Sequence, residues 1–404
     1  MSRSFLMLLL RIMVAIVVIG AVGYALVVRN MYYTPASMLR AGRPWPPDSV
    51  KIAVPWPQDG RVSLIQGVTL ALEELNASDS PLANRVNVEF INEPIGDPDT
   101  GAIARNIARD DEVMAVIGHE SSEYAIQSAV TYEDKGILYL SPKATLSRLT
   151  EHAFQYTFRL VPDDEAFAQA LAKFAASQKW KRIGVLYGRF EQGEALARWF
   201  PNYAATNGLE AAYFRSYLPA PDFRRQDFRP LLATMRTEKV DAILLSDQLP
   251  WAAKVLLDMQ AMGFTQPILA GDKLDSSDVW RIADKAADNL YVASAVDPES
   301  ASPPYISFRQ RFAGRFRDAE GRPQSPGYGS AQGYEAFRLW VDAAEQSQSV
   351  DPVVLATTIK TNRWVGLFGP FGFTTDGAIT GRSVIIKRVQ DRAFKTVAAH
   401  EVTP

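Results

Sequence analysis

The chain has 404 residues, 43 lysines and arginines against 45 aspartates and glutamates, and no cysteine. A prior of ~100–200 residues per domain allows two domains or three small ones, and a hydrophobic content of 47% with 22% charge excludes wholesale disorder. A net charge of −2 without a long basic run argues against nucleic acid as a partner; the missing thiol excludes disulfides, thiolate metal sites, a cysteine nucleophile and a lipidated cysteine; and His119, His152 and His400 are too few for a multi-histidine metal site.

Residues 5–28 are apolar apart from Arg11, and residues 12–28 carry no charge. At 1.5 Å per residue the inner run spans about 25 Å, and residues 5–10 extend it to membrane thickness because Arg11 can snorkel. Arg3 and Arg11 precede the run, which keeps that end cytoplasmic and puts the rest of the chain across the membrane. Two readings stand. One is an uncleaved anchor in the inner membrane, and the other a signal peptide cut near Ala21-Val22-Gly23. Residues 30–49 follow with Pro35, Pro44, Pro46 and Pro47, a density that predicts a semi-rigid spacer.

From residue 50, short β-branched runs alternate with helical patterns. Strands are expected at 50–54, 86–91, 114–118, 137–140, 182–187, 242–245 and 268–270. Helices are expected at 62–75, 102–108, 122–133, 166–177, 194–207, 228–239 and 251–262. This alternation predicts parallel sheets with helices on both faces, divided between two α/β lobes. A crossing between lobes is expected near Val161-Pro162-Asp163-Asp164. Further helices are expected at 308–317, 331–344 and 352–360. Two closing strands flank Gln390-Asp391-Arg392, which reads as a hairpin turn.

Candidate chemistry gathers after the strands. Gly118-His119-Glu120-Ser121-Ser122 follows one strand and opens a helix, where amides and hydroxyls suit an anion, although Ser121 or Ser122 as a simple helix cap explains the pattern as well. Ser141-Pro142-Lys143-Ala144-Thr145 stands in the same position after the next strand, again with an N-cap or a proline turn as the plain alternative. Asp272 follows the 268–270 strand and suits an ammonium. Asp272, Asp275 and Asp278 lack the loop glycine and terminal glutamate of a calcium loop. No zinc-protease helix, nucleophile elbow or Walker loop occurs, so no enzyme, metal or cofactor is expected. Gly327 to Gly333 reads as a loop entering a helix.

These motifs carry a resemblance. From Ala115-Val116-Ile117-Gly118-His119, through Tyr132-Glu133-Asp134-Lys135-Gly136-Ile137, to Ser141-Pro142-Lys143-Ala144-Thr145, the chain resembles the type I periplasmic binding proteins of the leucine/isoleucine/valine-binding family. Gln66-Gly67, Asp222-Phe223 and Gly369-Pro370-Phe371 match more loosely. The resemblance implies two Rossmann-like lobes joined by three crossing segments, with residues 50–161 and 296–370 in lobe 1 and 162–295 and 371–400 in lobe 2. It implies an extracytoplasmic receptor that closes on a small amino-acid-like or polar ligand and delivers it to an ABC permease. A membrane-anchored sensor is the alternative. The implied binding residues are Ser122 and Thr145 for a carboxylate, Lys143 by its carbonyl with Asp272 for an ammonium, and Ser121 and Ala144 beside them. Gln192 and Gln248 stand where aromatic residues often line the second lobe. Their polarity counts against a branched aliphatic ligand.

Overall fold

The computed structural model describes residues 7, 13–20, 23, 37–58, 63–94, 99 and 101–401, with only the backbone of Glu191 and Gln192. The expected membrane segment therefore lies largely outside the described residues, although 13–20 are helical. No helix among the described residues is long and apolar enough to cross a membrane.

Five strands form the first sheet: β1 (Val50–Trp56), β2 (Val86–Asn92), β3 (Val113–Ile117), β4 (Leu138–Ser141) and β5 (Thr157–Arg159). All pairings are parallel and the order is β2-β1-β3-β4-β5. β3 and β4 are buried along their whole length, which is why they read as unbroken apolar runs. The order reverses between β1 and β3, the place where open α/β sheets leave a crevice beyond the carboxyl ends of the strands.

The second sheet adds β6 (Arg182–Gly188), β7 (Glu210–Tyr217), β8 (Ala242–Ser246), β9 (Ile268–Ala270) and β10 (Leu290–Ser294). After a small antiparallel sheet of β11 (Trp364–Gly366), β12 (Gly369–Phe373) and β13 (Ile379–Thr380), the chain returns as β14 (Ser383–Gln390) and β15 (Ala393–Glu401). The seven-stranded order is β15-β14-β10-β9-β8-β6-β7. The β14–β15 turn is the expected hairpin: Asp391 and Arg392 both have positive φ, at 50° and 56°, which matches the right-handed strand twist.

One hydrophobic core draws on residues from Val50 to Val161 and again from Ala295 to Phe371. Two others cover the faces of the second sheet, from Ala166 to Ala293 and on the returning strands. The chain thus passes between cores near 162, near 295 and beyond 371. At the first passage Arg159, 4% exposed, donates to Val161 O at 2.8 Å and to Asp163 Oδ2 at 3.0 Å.

Two findings differ from the sequence reading. The glycine-rich stretch is the start of the helix Tyr328–Ser347, not a loop before it. Its glycines let that helix lie directly on Ser63–Asn76: a Cβ on Gly67 would stand 2.0 Å from Ser330 O, and one on Gly333 2.5 Å from Leu64 O. Part of the expected spacer is also docked. Arg40, 1% exposed, donates to Val113 O (2.8 Å), Lys135 O (2.9 Å) and Asp110 O (3.0 Å). Ser37 is buried against Gly136, the left-handed residue (φ 61°) that ends the helix Ser122–Lys135.

Candidate ligand-binding site

The helix Ser122–Lys135 starts because Ser121 is extended and its Oγ accepts from Tyr124 N at 3.2 Å, an ordinary N-cap. Ser121 is therefore engaged in its own helix. Ser122 is fully buried, and its Oγ accepts from Thr145 N at 3.1 Å and Leu146 N at 3.5 Å. That bond stitches the end of β3 to the end of β4. Ser122 and Thr145, 23 residues apart, are thus adjacent.

The neighbouring histidine is not a free group. His119 is fully buried, with Nδ1 on the Glu93 carboxylate and Nε2 3.0 Å from the Tyr132 hydroxyl. Its amide donates to Tyr139 Oη at 3.3 Å, and Glu93 Oε2 accepts from Glu120 N at 3.0 Å. This network holds the post-β3 loop rigid and satisfies polar groups that would otherwise be costly to bury.

Lys143 reaches Glu120 Oε1 at 3.1 Å across the mouth of the same loop. The Ala144 side chain points into the core formed with Tyr132, Tyr139 and Leu149, so only its backbone faces the strand ends. Gln248 follows β8 and is half-buried, its amide donating to Asp247 Oδ1 at 2.7 Å. Asp247 also accepts from Tyr217 Oη, and burial pushes its carboxyl well up. Gln192 is the second residue of the helix Glu191–Thr206; its side chain lies outside the described residues.

Asp272 follows β9 and is 4% exposed, with Oδ2 free of any hydrogen bond. Burial raises its pKa, opposed by Lys273 and Lys143 and reinforced by Asp275 and Glu120. Lys143 and Glu120 thus lie near enough to Asp272 for their charges to act on it, although they sit in the loops after β3 and β4. Two residues missed by the sequence reading join it. Asp164 is 6% exposed, with Oδ2 also unbonded, and burial together with the Asp272 charge pushes its carboxyl up to about 7. Its amide donates to Thr145 O at 3.0 Å. Tyr328 is 7% exposed with an unbonded hydroxyl, its pKa raised by burial and then by Asp272.

Four buried atoms therefore stand together without a hydrogen bond of acceptable geometry: Thr145 Oγ1, Asp164 Oδ2, Asp272 Oδ2 and Tyr328 Oη. Thr145 is nonetheless close enough to Asp164, and Tyr328 to Asp272, for each to perturb its neighbour's proton affinity. Native interiors satisfy nearly all buried polar atoms, so a cluster of orphans at the strand ends makes this the candidate ligand site. Asp164 was legible only as the acidic start of a helix after a crossing, and Tyr328 only as part of a glycine-rich stretch.

Other features serve the scaffold. Asp275 is taken up by Lys387 and Ser294, and Asp278 by Arg281 at 3.1 Å, which leaves no calcium loop there. Among the described residues no group of three or more acidic or histidine side chains is placed to hold a metal. A cavity of about 360 Å³ lined by Met259, Ile268, Lys285 and Gln390 opens where β9 begins, at the opposite end of that strand from Asp272.

Two α/β sheets whose strand ends converge on one buried polar cluster define a two-lobed solute receptor. The chain belongs to the periplasmic binding protein family, whose profile matches residues 49–393, and within it to the type I leucine/isoleucine/valine-binding group. It is 24% identical over 337 residues to the leucine-, isoleucine-, valine-, threonine-, and alanine-binding protein of Pseudomonas aeruginosa, covering 82% of this chain and 87% of that one. It is 23% identical over 342 residues to the Leu/Ile/Val-binding protein of Escherichia coli, covering 83% and 89%. Among solved structures, an ABC transporter substrate-binding protein from Desulfitobacterium hafniense in complex with Leu matches with a TM-score of 0.75 at 25% identity, over 86% of this chain and all of that one. A leucine binding protein from Thermotoga maritima shares the fold, with a TM-score of 0.78 at 23% identity over 87% and 99%. Members of this family are extracytoplasmic solute receptors rather than enzymes.

Proposed function

We propose that this chain is the extracytoplasmic solute receptor of an ABC importer and binds a small amino-acid-like or polar ligand between its two lobes. Lobe 1 is taken as residues 50–161 and 296–370, and lobe 2 as 162–295 and 371–400. The orphaned cluster of Thr145, Asp164, Asp272 and Tyr328 carries the reading, because a ligand filling it would bond residues of both lobes only when they are closed. Differential contacts of that kind are what shift an open–closed equilibrium. Ser122 and Lys143 shape the lobe 1 side, and Gln248 the lobe 2 side, to which the sequence also assigns Gln192. The two glutamines oppose a branched aliphatic side chain, whatever the named relatives bind.

Calorimetry against a panel of amino acids, amines and small amides tests the assignment. Asp272→Ala should weaken an ammonium ligand at least tenfold, and an unchanged affinity removes Asp272 from the site.

Residues 5–28 serve, on this reading, as an uncleaved inner-membrane anchor, consistent with the absence of a cysteine to lipidate. A mature N-terminus near Tyr24 would refute that. The docking of Arg40 favours the second reading, a membrane-anchored sensor. Nine residues, at most about 32 Å of extended chain, link position 28 to the buried Ser37. Solute uptake that depends on the chain supports import, and binding without uptake supports the sensor.

A further inference from the structure

The balance of donors and acceptors in the cleft narrows the solute class, an inference that rests on the solute-binding reading above. A carboxylate ligand needs donors at the strand ends. Here three of the amides are bonded within the protein, Thr145 N and Leu146 N to Ser122 Oγ and Tyr124 N to Ser121 Oγ, which leaves hydroxyl protons as the neutral donors. The Lys143 ammonium lies on Glu120.

The groups left over are acceptors or can act as acceptors. Asp164 Oδ2 and Asp272 Oδ2 can only accept when ionised, while Thr145 Oγ1 and Tyr328 Oη can do either. All four residues are more than nine-tenths buried. The surrounding charge has the same sign. Glu120 is matched by Lys143, Asp275 by Lys387 and Asp163 by Arg159, so Lys273 is the cation acting on both Asp164 and Asp272, while Lys143 and Lys387, each already paired with another acid, act on Asp272. Two carboxyls that already repel each other in a dry site would repel a third brought in by the ligand.

We infer that the cleft selects a small organic cation with at least two N–H-bearing nitrogens and no carboxylate, of the short-diamine class, seated between Asp164 and Asp272. One nitrogen is held by Asp272 and the Tyr328 hydroxyl. The other is held by Asp164 and Thr145 Oγ1. An α-amino acid would satisfy the first acid and set its carboxylate against the second. The raised proton affinity of Asp164 is the expected mark of an acid kept in a dry site until a cation replaces its proton.

Titration calorimetry and small-angle scattering on the full chain, with 1,4-diaminobutane, n-butylamine and leucine as probes, test this. The diamine should bind at least 100-fold more tightly than leucine, and more tightly than the monoamine, with a compaction of the protein. Asp164→Asn should weaken the diamine at least tenfold while moving n-butylamine less than threefold. Asp272→Asn is the companion variant should the first fold poorly, and it should weaken both amines. Leucine bound as tightly as the diamine, or a diamine affinity indifferent to both variants, overturns the inference while the receptor reading stands. Binding of no amine also overturns it, and a protein that no solute of the wider panel binds or compacts defeats the receptor reading as well.

Discussion

Replacing Asp164 by asparagine should stabilise the unliganded protein at alkaline pH and do little at acidic pH. The wild-type carboxyl is 6% exposed, its Oδ2 has no hydrogen bond, and burial with repulsion from Asp272 holds its pKa at about 7. Lys273 and Thr145 pull the other way and Asp163 adds to the rise. An unfolded aspartate titrates near ~3.9, and each tenfold difference in proton affinity is worth about 1.4 kcal/mol. The folded state therefore binds this proton more tightly than the unfolded state. Its stabilising effect is complete below about pH 4 and is lost as pH rises to about 7. The loss amounts to roughly 4 kcal/mol at pH 8, an upper value because Asp272 shares the repulsion. Asparagine has the same shape and no charge to desolvate. Urea denaturation followed by tryptophan fluorescence should show the variant more stable by about 2–4 kcal/mol at pH 8 and within about 1 kcal/mol of wild type at pH 4.5. A gap that does not change with pH, or a variant weaker at pH 8, would show that Asp164 is not a desolvated acid. The reasoning about the cleft would fall with it.

Other perturbations probe the scaffold. Arg40→Met should cost about 3–5 kcal/mol, since it removes three charge-assisted bonds and strands the carbonyls of Asp110, Val113 and Lys135. Urea titration measures the loss, and limited proteolysis should reveal new cleavage within residues 37–49. A protease-resistant segment in the variant would show that other contacts hold it. Gly67→Ala should lower stability by about 2–3 kcal/mol, because its Cβ would stand 2.0 Å from Ser330 O and force two helices apart. A thermal melt within about 1 °C of wild type would mean that the helices shift without strain.

Much of the fold was legible because its signals are local. The parallel strands are continuous apolar runs: β3 and β8 are buried at every position, which any residue-by-residue reading registers. Gly136 ends its helix in the left-handed conformation, and Asp391-Arg392 turns a hairpin, each with a residue pattern that states its backbone requirement. Ser122, Thr145 and Asp272 were singled out because each lies in the segment after a strand, and in parallel sheets strand ends are where ligands sit.

What the sequence could not disclose depends on which distant atoms meet. Ser122 was expected to offer its hydroxyl to a ligand, and its oxygen also accepts from the amides of Thr145 and Leu146, a tie between two loops that leaves its proton as the group to donate. Its alternative role as a helix cap belongs instead to Ser121. Arg40 sits in a proline-rich stretch typical of an exposed spacer, and only packing against Val113 and Lys135 makes it a buried anchor. By itself the sequence determined the α/β alternation, the strand ends that carry the candidate site and the absence of thiol chemistry, all consequences of composition and short-range period. The tertiary structure alone decided that Asp164 and Asp272, 108 positions apart, share one dry space with Tyr328. Desolvation and charge repulsion act through space rather than along the chain, so the character of the cleft appears only once the lobes are assembled.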